Sequence, residues 1–240
     1  MKDKFYNFIS SSNSADLYLY GAIVSEKWCE DDVDFKDFRD KLEELNNNST
    51  LNIYVNSPGG EVFTTQSIIS LLKRAKVNKN IEINCYIDGL GASCASWLPM
   101  ISDNLYIYNG SMLMIHKPMT YCFGANANDL RKEIELLDKL EESEMIPMYM
   151  SKAKEGVTED DIRKMLADET WLTSNEIQEY FNVILLEENK QLVACVDDKL
   201  FKNYKNAPKE LLEDNKDLEK LNKEIEIELA LVDEVLFLCN

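Results

Sequence analysis

One histidine, His116, is all the imidazole this chain has, so a metal centre built on a histidine cluster is excluded. The six cysteines (Cys29, Cys85, Cys94, Cys122, Cys195, Cys239) form no C-x-x-C pair and have no histidine at ligand spacing. They read as reduced, mostly buried thiols, not as a zinc site. No apolar run reaches the ~18 residues that a membrane-spanning helix needs. The opening "MKDKFYNFISSSNSADLYLYG" is interrupted by serine, asparagine and aspartate, and lacks the continuous apolar core of a signal peptide. The expectation is a cytoplasmic protein with no metal, no cofactor and no membrane partner. Basic residues are scarce, 26 against 44 acids, for a formal charge of −18. Such a field repels phosphate backbones and argues against nucleic acid as a partner.

Apolar residues make up 45% of the 240, enough for one substantial core. "LYLYGAIV" (17–24), "LNIYVNS" (51–57) and "IEINCYID" (81–88) have the β-branched and aromatic content of strands. "DFKDFRDKLEEL" (35–46) and "EVFTTQSIISLLKRA" (61–75) carry apolar residues at helical spacing. "NLYIYN" and "SMLMIHK" are further strands joined at Asn109-Gly110. Alternation of strand and helix predicts parallel strands with right-handed crossovers. A long helical stretch from about 127 to 154 follows, with Leu130, Ile134, Leu137 and Leu140 on its apolar face and a kink expected at Pro147. Thr158 and Thr173 are candidate helix caps, Thr173 with Glu176 as a capping box. The last residues change character: Leu211, Leu218, Ile225 and Val232 fall seven apart in a charged, glycine-free segment, a candidate coiled-coil or docking helix. The division expected is an extension at 1–14, a main domain at 15–188, a linker at 189–208 and an acidic helical tail at 209–240.

Three places carry possible chemistry besides His116. "NSPGGEV" (56–62) ends a strand and starts a helix; Gly59 and Gly60 permit close backbone approach, and amides without helical partners there can face an anion. "DGLGASCASW" (88–97) holds Ser93, Cys94 and Ser96 among small residues, with Gly89, Gly91, Ala92 and Ala95 clearing space. Ser93 falls at the carboxyl end of a strand, where open parallel sheets bind ligands, although a serine there also serves as a helix cap. Cys94 and Ser96 are rival nucleophiles expected on the following helix. A carboxylate is needed to orient an imidazole, and "LADETWLTS" (166–174) offers Asp168 and Glu169.

Taken together, "LYLYGAI", "IYVNSPGGEVFTTQSI", "YIDGLGASCASW", "MLMIHKPMT", "GANANDLRKEIELLDK" and "ETWLTSNEI" resemble the ClpP peptidase family, and within it the phage head maturation (prohead) proteases. The resemblance covers roughly residues 15 to 186. It implies an α/β ClpP/crotonase-type fold of repeated ββα-like units with a protruding handle helix, the latter starting near Ala127. It places the nucleophile on Ser93, the base on His116 and the acid on Glu169, with Asp168 the alternative. The oxyanion donors become the amides of Gly60 and Cys94, and Gly59, Gly89 and Pro118 fall on substrate-binding positions. Polypeptide substrates, specifically capsid and scaffold proteins, a homo-oligomeric ring, a possible unfoldase partner and a phage or prophage origin in host cytoplasm are what the resemblance implies. A housekeeping Clp peptidase and a crotonase-like enzyme acting on an acyl thioester are the rival readings. Gly91 departs from the family's usual alanine. "EYFNVI" lacks the family's glycine, leaving Phe181 or Asn182 to make that turn.

Overall fold

The computed structural model describes residues 8–10, 13–25, 39–40, 42–189 and 204–207. The expected coiled-coil positions of the tail lie outside the described residues, as does most of the helix expected at 35–46, of which 39–40 and 42–43 are helical.

Eight strands make one sheet: β1 (Phe8–Ser10), β2 (Ser14–Tyr20), β3 (Thr50–Ser57), β4 (Glu82–Ala92), β5 (Asn104–Asn109), β6 (Met112–Ile115), β7 (Thr170–Thr173) and β8 (Ile184–Asn189). The order is β1-β2-β3-β4-β5-β8, and β6 and β7 branch from β4. From β2 to β8 the main path is parallel, as the strand–helix alternation predicts. β1 pairs antiparallel with β2, so part of the expected 1–14 extension belongs to the sheet.

One face of this sheet is apolar. Leu17, Leu19, Leu51, Ile53, Val55, Ile83, Cys85, Ile87, Leu105 and Ile107 are buried in one core with Ile68, Ile69 and Leu72 of α1 (Val62–Lys79). The other face is held by two cross-strand ladders. Tyr18, Tyr54, Tyr86 and Tyr106 stack with centroids 4.6, 4.8 and 4.6 Å apart. Beside them, Asn52 donates to Asp16, Asn84 to Asn52, and Asn104 to Asn84, at 2.7, 3.0 and 2.9 Å. Each such pair contributes about 0.2–1 kcal/mol, and together they select this register, since a one-residue slip would exchange the two faces.

β4 positions the site. It runs past the expected end at residue 88 to Ala92, and its two halves have different neighbours. Asn84–Ile87 pair with β5, whereas Leu90–Ala92 pair with β6. The Asn109-Gly110 turn therefore does not make a hairpin; it carries the chain from one half of β4 to the other. Gly89 sits at the changeover because a Cβ there would lie 2.9 Å from Asn56 Oδ1, the atom that accepts the Leu90 amide proton.

After β4 a 3-10 turn (Ser93–Ser96) leads into the short α2 (Trp97–Ile101). The long helical stretch is α3 (Ala127–Leu140), a π turn (Glu141–Met145) and α4 (Ile146–Met150). Pro147 occupies the first turn of α4, where its missing N–H costs least, and the interruption expected there is taken up by the π turn before it. Asn126 caps α3, and Thr158 caps α5 (Glu159–Ala167), each in a reciprocal capping box. Thr173 and Glu176 exchange hydrogen bonds before α6 (Ile177–Tyr180), as their spacing predicts. The chain leaves α6 through Phe181 in an extended conformation, φ −126°, and Asn182 has no positive φ; the left-handed turn weighed for this place does not form.

Candidate active site

Three neighbouring strands bring the candidate residues together. β6 lies between β4 and β7: Ala92 pairs with Met114 in parallel register, and Ile115 pairs with Thr170 in antiparallel register. Ser93 is the residue after β4, His116 the residue after β6, and Glu169 the residue before β7. The pairing alone thus gathers residues that are far apart in the chain.

Ser93 Oγ lies 2.7 Å from His116 Nε2. Its backbone is left-handed, φ +54°, a conformation that costs a non-glycine residue about 1–2 kcal/mol and that throws the side chain clear of the strand. The helix-cap alternative does not hold: Ala92, not Ser93, occupies the cap position of the 3-10 turn. Gly59, φ +97°, makes this elbow possible, since a Cβ there would stand 2.6 Å from Ser93 Cβ and 2.8 Å from Ala92 O.

His116 is 7% exposed. Burial pushes its imidazole below the ordinary value, and the Glu169 carboxylate pulls the other way. Glu169 is itself buried, with φ +51° at the turn into β7. No hydrogen bond joins His116 to Glu169 among the described residues; the carboxylate instead accepts the backbone amides of Lys205 and Asn206, and the Trp171 Nε1–H at 3.5 Å. Asp168, the alternative acid, is exposed and pairs with Lys164 at 3.0 Å on the surface.

The rival nucleophiles are occupied otherwise. Burial raises the Cys94 thiol to about 11, and it accepts the Thr65 hydroxyl at 3.1 Å. Ser96 is fully buried; it donates to the Ser93 carbonyl, which leaves the Tyr149 hydroxyl to donate to Ser96 at 2.7 Å. Ser96→Ala should therefore strand a buried phenol and cost about 1–3 kcal/mol in urea denaturation. Tyr149→Phe in the same background should recover part of that loss, and an unchanged midpoint for Ser96→Ala would contradict this role.

A cavity of about 130 Å3 opens beside Ser93. Gly60 and Cys94 line it, together with Pro118 and the apolar Val62, Trp97 and Met145. The backbone amides of Gly60 and Cys94 both approach the Cys94 thiol. Gly89, expected among the substrate-binding positions, does not line the cavity; its lack of a side chain serves the packing of Asn56. The residue that sequence reasoning missed is Tyr204. It lies within the segment expected to be a linker, yet it is buried, lines the cavity and packs edge-on against His116, with centroids 5.3 Å apart. Neither periodicity nor a motif marks it; its immediate neighbours, "KN" before and "KN" after, are polar.

Among the described residues no helix is long and apolar enough to cross a membrane. A search of curated proteins finds no match. Among solved structures, a ClpP1 point mutant from Listeria monocytogenes is similar in fold, with a TM-score of 0.57 and 19% identity over 74% of this chain and 93% of that one. A family model described as Clp protease matches residues 40–183, more than half of the sequence and the stretch that holds Ser93, His116 and Glu169, and the chain therefore belongs to the Clp protease family.

Proposed function

We propose that this chain is a serine endopeptidase of the head-maturation type, cleaving capsid and scaffold proteins during phage or prophage head assembly. The observation that carries the catalytic part is the 2.7 Å contact between Ser93 Oγ and His116 Nε2. In this reading Ser93 Oγ attacks the scissile carbonyl carbon while His116 Nε2 takes its proton. The Glu169 carboxylate stabilises the imidazolium, and the amides of Gly60 and Cys94 donate to the oxyanion. Collapse of the tetrahedral intermediate breaks the C–N bond; the imidazolium returns its proton to the leaving amine, and water then releases the acyl group by the same route. An acyl-thioester enzyme on this fold needs no serine–histidine pair, so the contact argues for the peptidase.

The choice of capsid and scaffold substrates rests on the resemblance of the motifs to the phage branch. A housekeeping peptidase fed by an unfoldase is the rival. Self-association into a ring is part of the proposal. Leu130 and Ile134 on α3 are 44% and 58% exposed, an apolar stripe that a partner subunit would cover.

The test is a fluorophosphonate probe followed by peptide mapping across a pH series. One adduct is expected, on Ser93. Only neutral imidazole accepts the proton, and burial disfavours the imidazolium. The labelling rate should therefore rise with pH to a plateau, with its midpoint below the ordinary histidine value of about 6.5. An adduct elsewhere, or none on Ser93, would sink the catalytic assignment.

A further inference from the structure

The Glu169 carboxylate has an unusual pair of partners. Its Oε2 accepts the Lys205 amide at 2.8 Å and its Oε1 the Asn206 amide at 2.6 Å. The Asn206 side-chain amide donates to the Asp168 carbonyl at 2.7 Å, fastening the segment to the same turn. Tyr204, one residue earlier, packs edge-on against His116 and against Trp171, and its hydroxyl donates to the Pro58 carbonyl in the Pro-Gly-Gly loop. Three consecutive residues thus touch the acid, the base and the glycine loop. All three lie beyond residue 183, where the family match ends.

We infer that residues 204–206 are positioning residues of the catalytic site: two backbone amides cradle the Glu169 carboxylate and the Tyr204 ring backs the imidazole, so that the acid is held beside His116. This rests on the peptidase reading above. A buried carboxylate needs hydrogen bonds in place of its lost water, and two amide donors supply them here. Glutamate also has one more rotatable bond than aspartate, so it needs an anchor at its far end to stay put. Tyr204 lines the cavity beside Ser93 and meets the Ser93 hydroxyl, and the Ser93–His116 contact nevertheless stays at 2.7 Å, as expected of a supporting segment.

The single histidine makes the test direct, because imidazole NMR titration of the full chain reads His116 alone. Glu169 and Tyr204 are the titratable groups facing it, and the key variants leave the Lys205 charge in place. Glu169→Gln should lower the His116 pKa by about one pH unit, the size of effect a nearby carboxylate exerts. Asn206→Pro, which removes one amide donor, should lower it part of the way and slow fluorophosphonate labelling roughly 10-fold. Asn206→Ala keeps that donor but loses the side-chain bond to the Asp168 carbonyl, so both effects should be smaller than in Asn206→Pro. In the Glu169→Gln background Asn206→Pro should add nothing, as expected of groups acting through one another. Lys205→Pro against Lys205→Ala repeats the comparison at the other oxygen. An unshifted or raised pKa in Asn206→Pro, equal shifts in Asn206→Pro and Asn206→Ala, or faster labelling of Asn206→Pro would overturn the inference; the last would make the segment a plug. If the wild-type chain is not labelled at Ser93, the peptidase reading fails, and the titration still decides the cradle.

Discussion

Ser93→Ala should abolish peptide hydrolysis while leaving the fold intact. In the proposed mechanism the hydroxyl supplies the attacking oxygen, and the neighbouring nucleophiles are occupied: Cys94 is a buried thiol raised to about 11, and the Ser96 hydroxyl is tied to a backbone carbonyl. Loss of a triad nucleophile removes on the order of 10^4–10^6 in kcat, or about 5–8 kcal/mol of barrier reduction. His116→Ala should cost nearly as much, and the double variant little more than either, because base and nucleophile act as a unit. Stability should change by less than about 1 kcal/mol, since alanine meets the same left-handed strain as serine and loses one partly exposed hydrogen bond. Single-turnover assays on a peptide substrate would measure the first effect and urea melts the second. On the head-maturation proposal, the Ser93→Ala chain should leave capsid precursors uncut in cells assembling heads. Retention of more than about a hundredth of wild-type turnover would remove Ser93 from the mechanism.

Gly60→Ala is expected to damage both stability and rate. A Cβ at Gly60 would lie 2.1 Å from the Ile23 carbonyl oxygen and 2.9 Å from Ile23 N and C. These are backbone atoms, so no side chain can swing aside. The φ of +149° adds strain for any residue with a side chain. To relieve the clash, the loop must peel away from Ile23 and give up two flanking hydrogen bonds, Ile23 N–H to Gly59 O at 2.9 Å and Glu61 N–H to Ile23 O at 2.8 Å. Two lost bonds at about 1 kcal/mol each, plus strain, predict a loss of about 2–4 kcal/mol. The Gly60 amide moves with the loop, so kcat should fall about 10^2–10^3-fold, the usual effect of losing one oxyanion donor. Gly91→Ala is the control. Its Cβ would meet Leu113 Cδ1 at 3.5 Å, an ordinary contact, so the residue where this chain departs from its family's alanine should accept one with little change. If Gly60→Ala kept wild-type stability and rate, the loop amide would have no part in the chemistry.

Much of this site was legible from local pattern. Period-two burial in β2 to β5 and helical spacing in α1 set the elements. Thr158, Thr173 and the glycines before α1 marked their ends, because caps and turns act within a few residues of one another. A lone histidine after an apolar strand and a serine among small residues were conspicuous for the same reason: their neighbours in the chain determine the space around them. What required the tertiary structure was every relation between distant segments. That β4 is shared between β5 and β6, that Ser93 adopts a left-handed backbone, and that β7 sets Glu169 and not Asp168 next to His116 all follow from strand register, which no local pattern states. Tyr204 is the extreme case. Its own surroundings in sequence are polar and read as a linker, yet it is buried against His116 because burial is decided by what the fold brings alongside and not by the residues on either side. Sequence by itself determined the elements, their order and the two residues that meet at 2.7 Å. Only the tertiary structure buried Glu169 while leaving Asp168 at the surface, and only it brought the amides of Lys205 and Asn206 onto the Glu169 carboxylate, because these contacts join segments far apart in the chain.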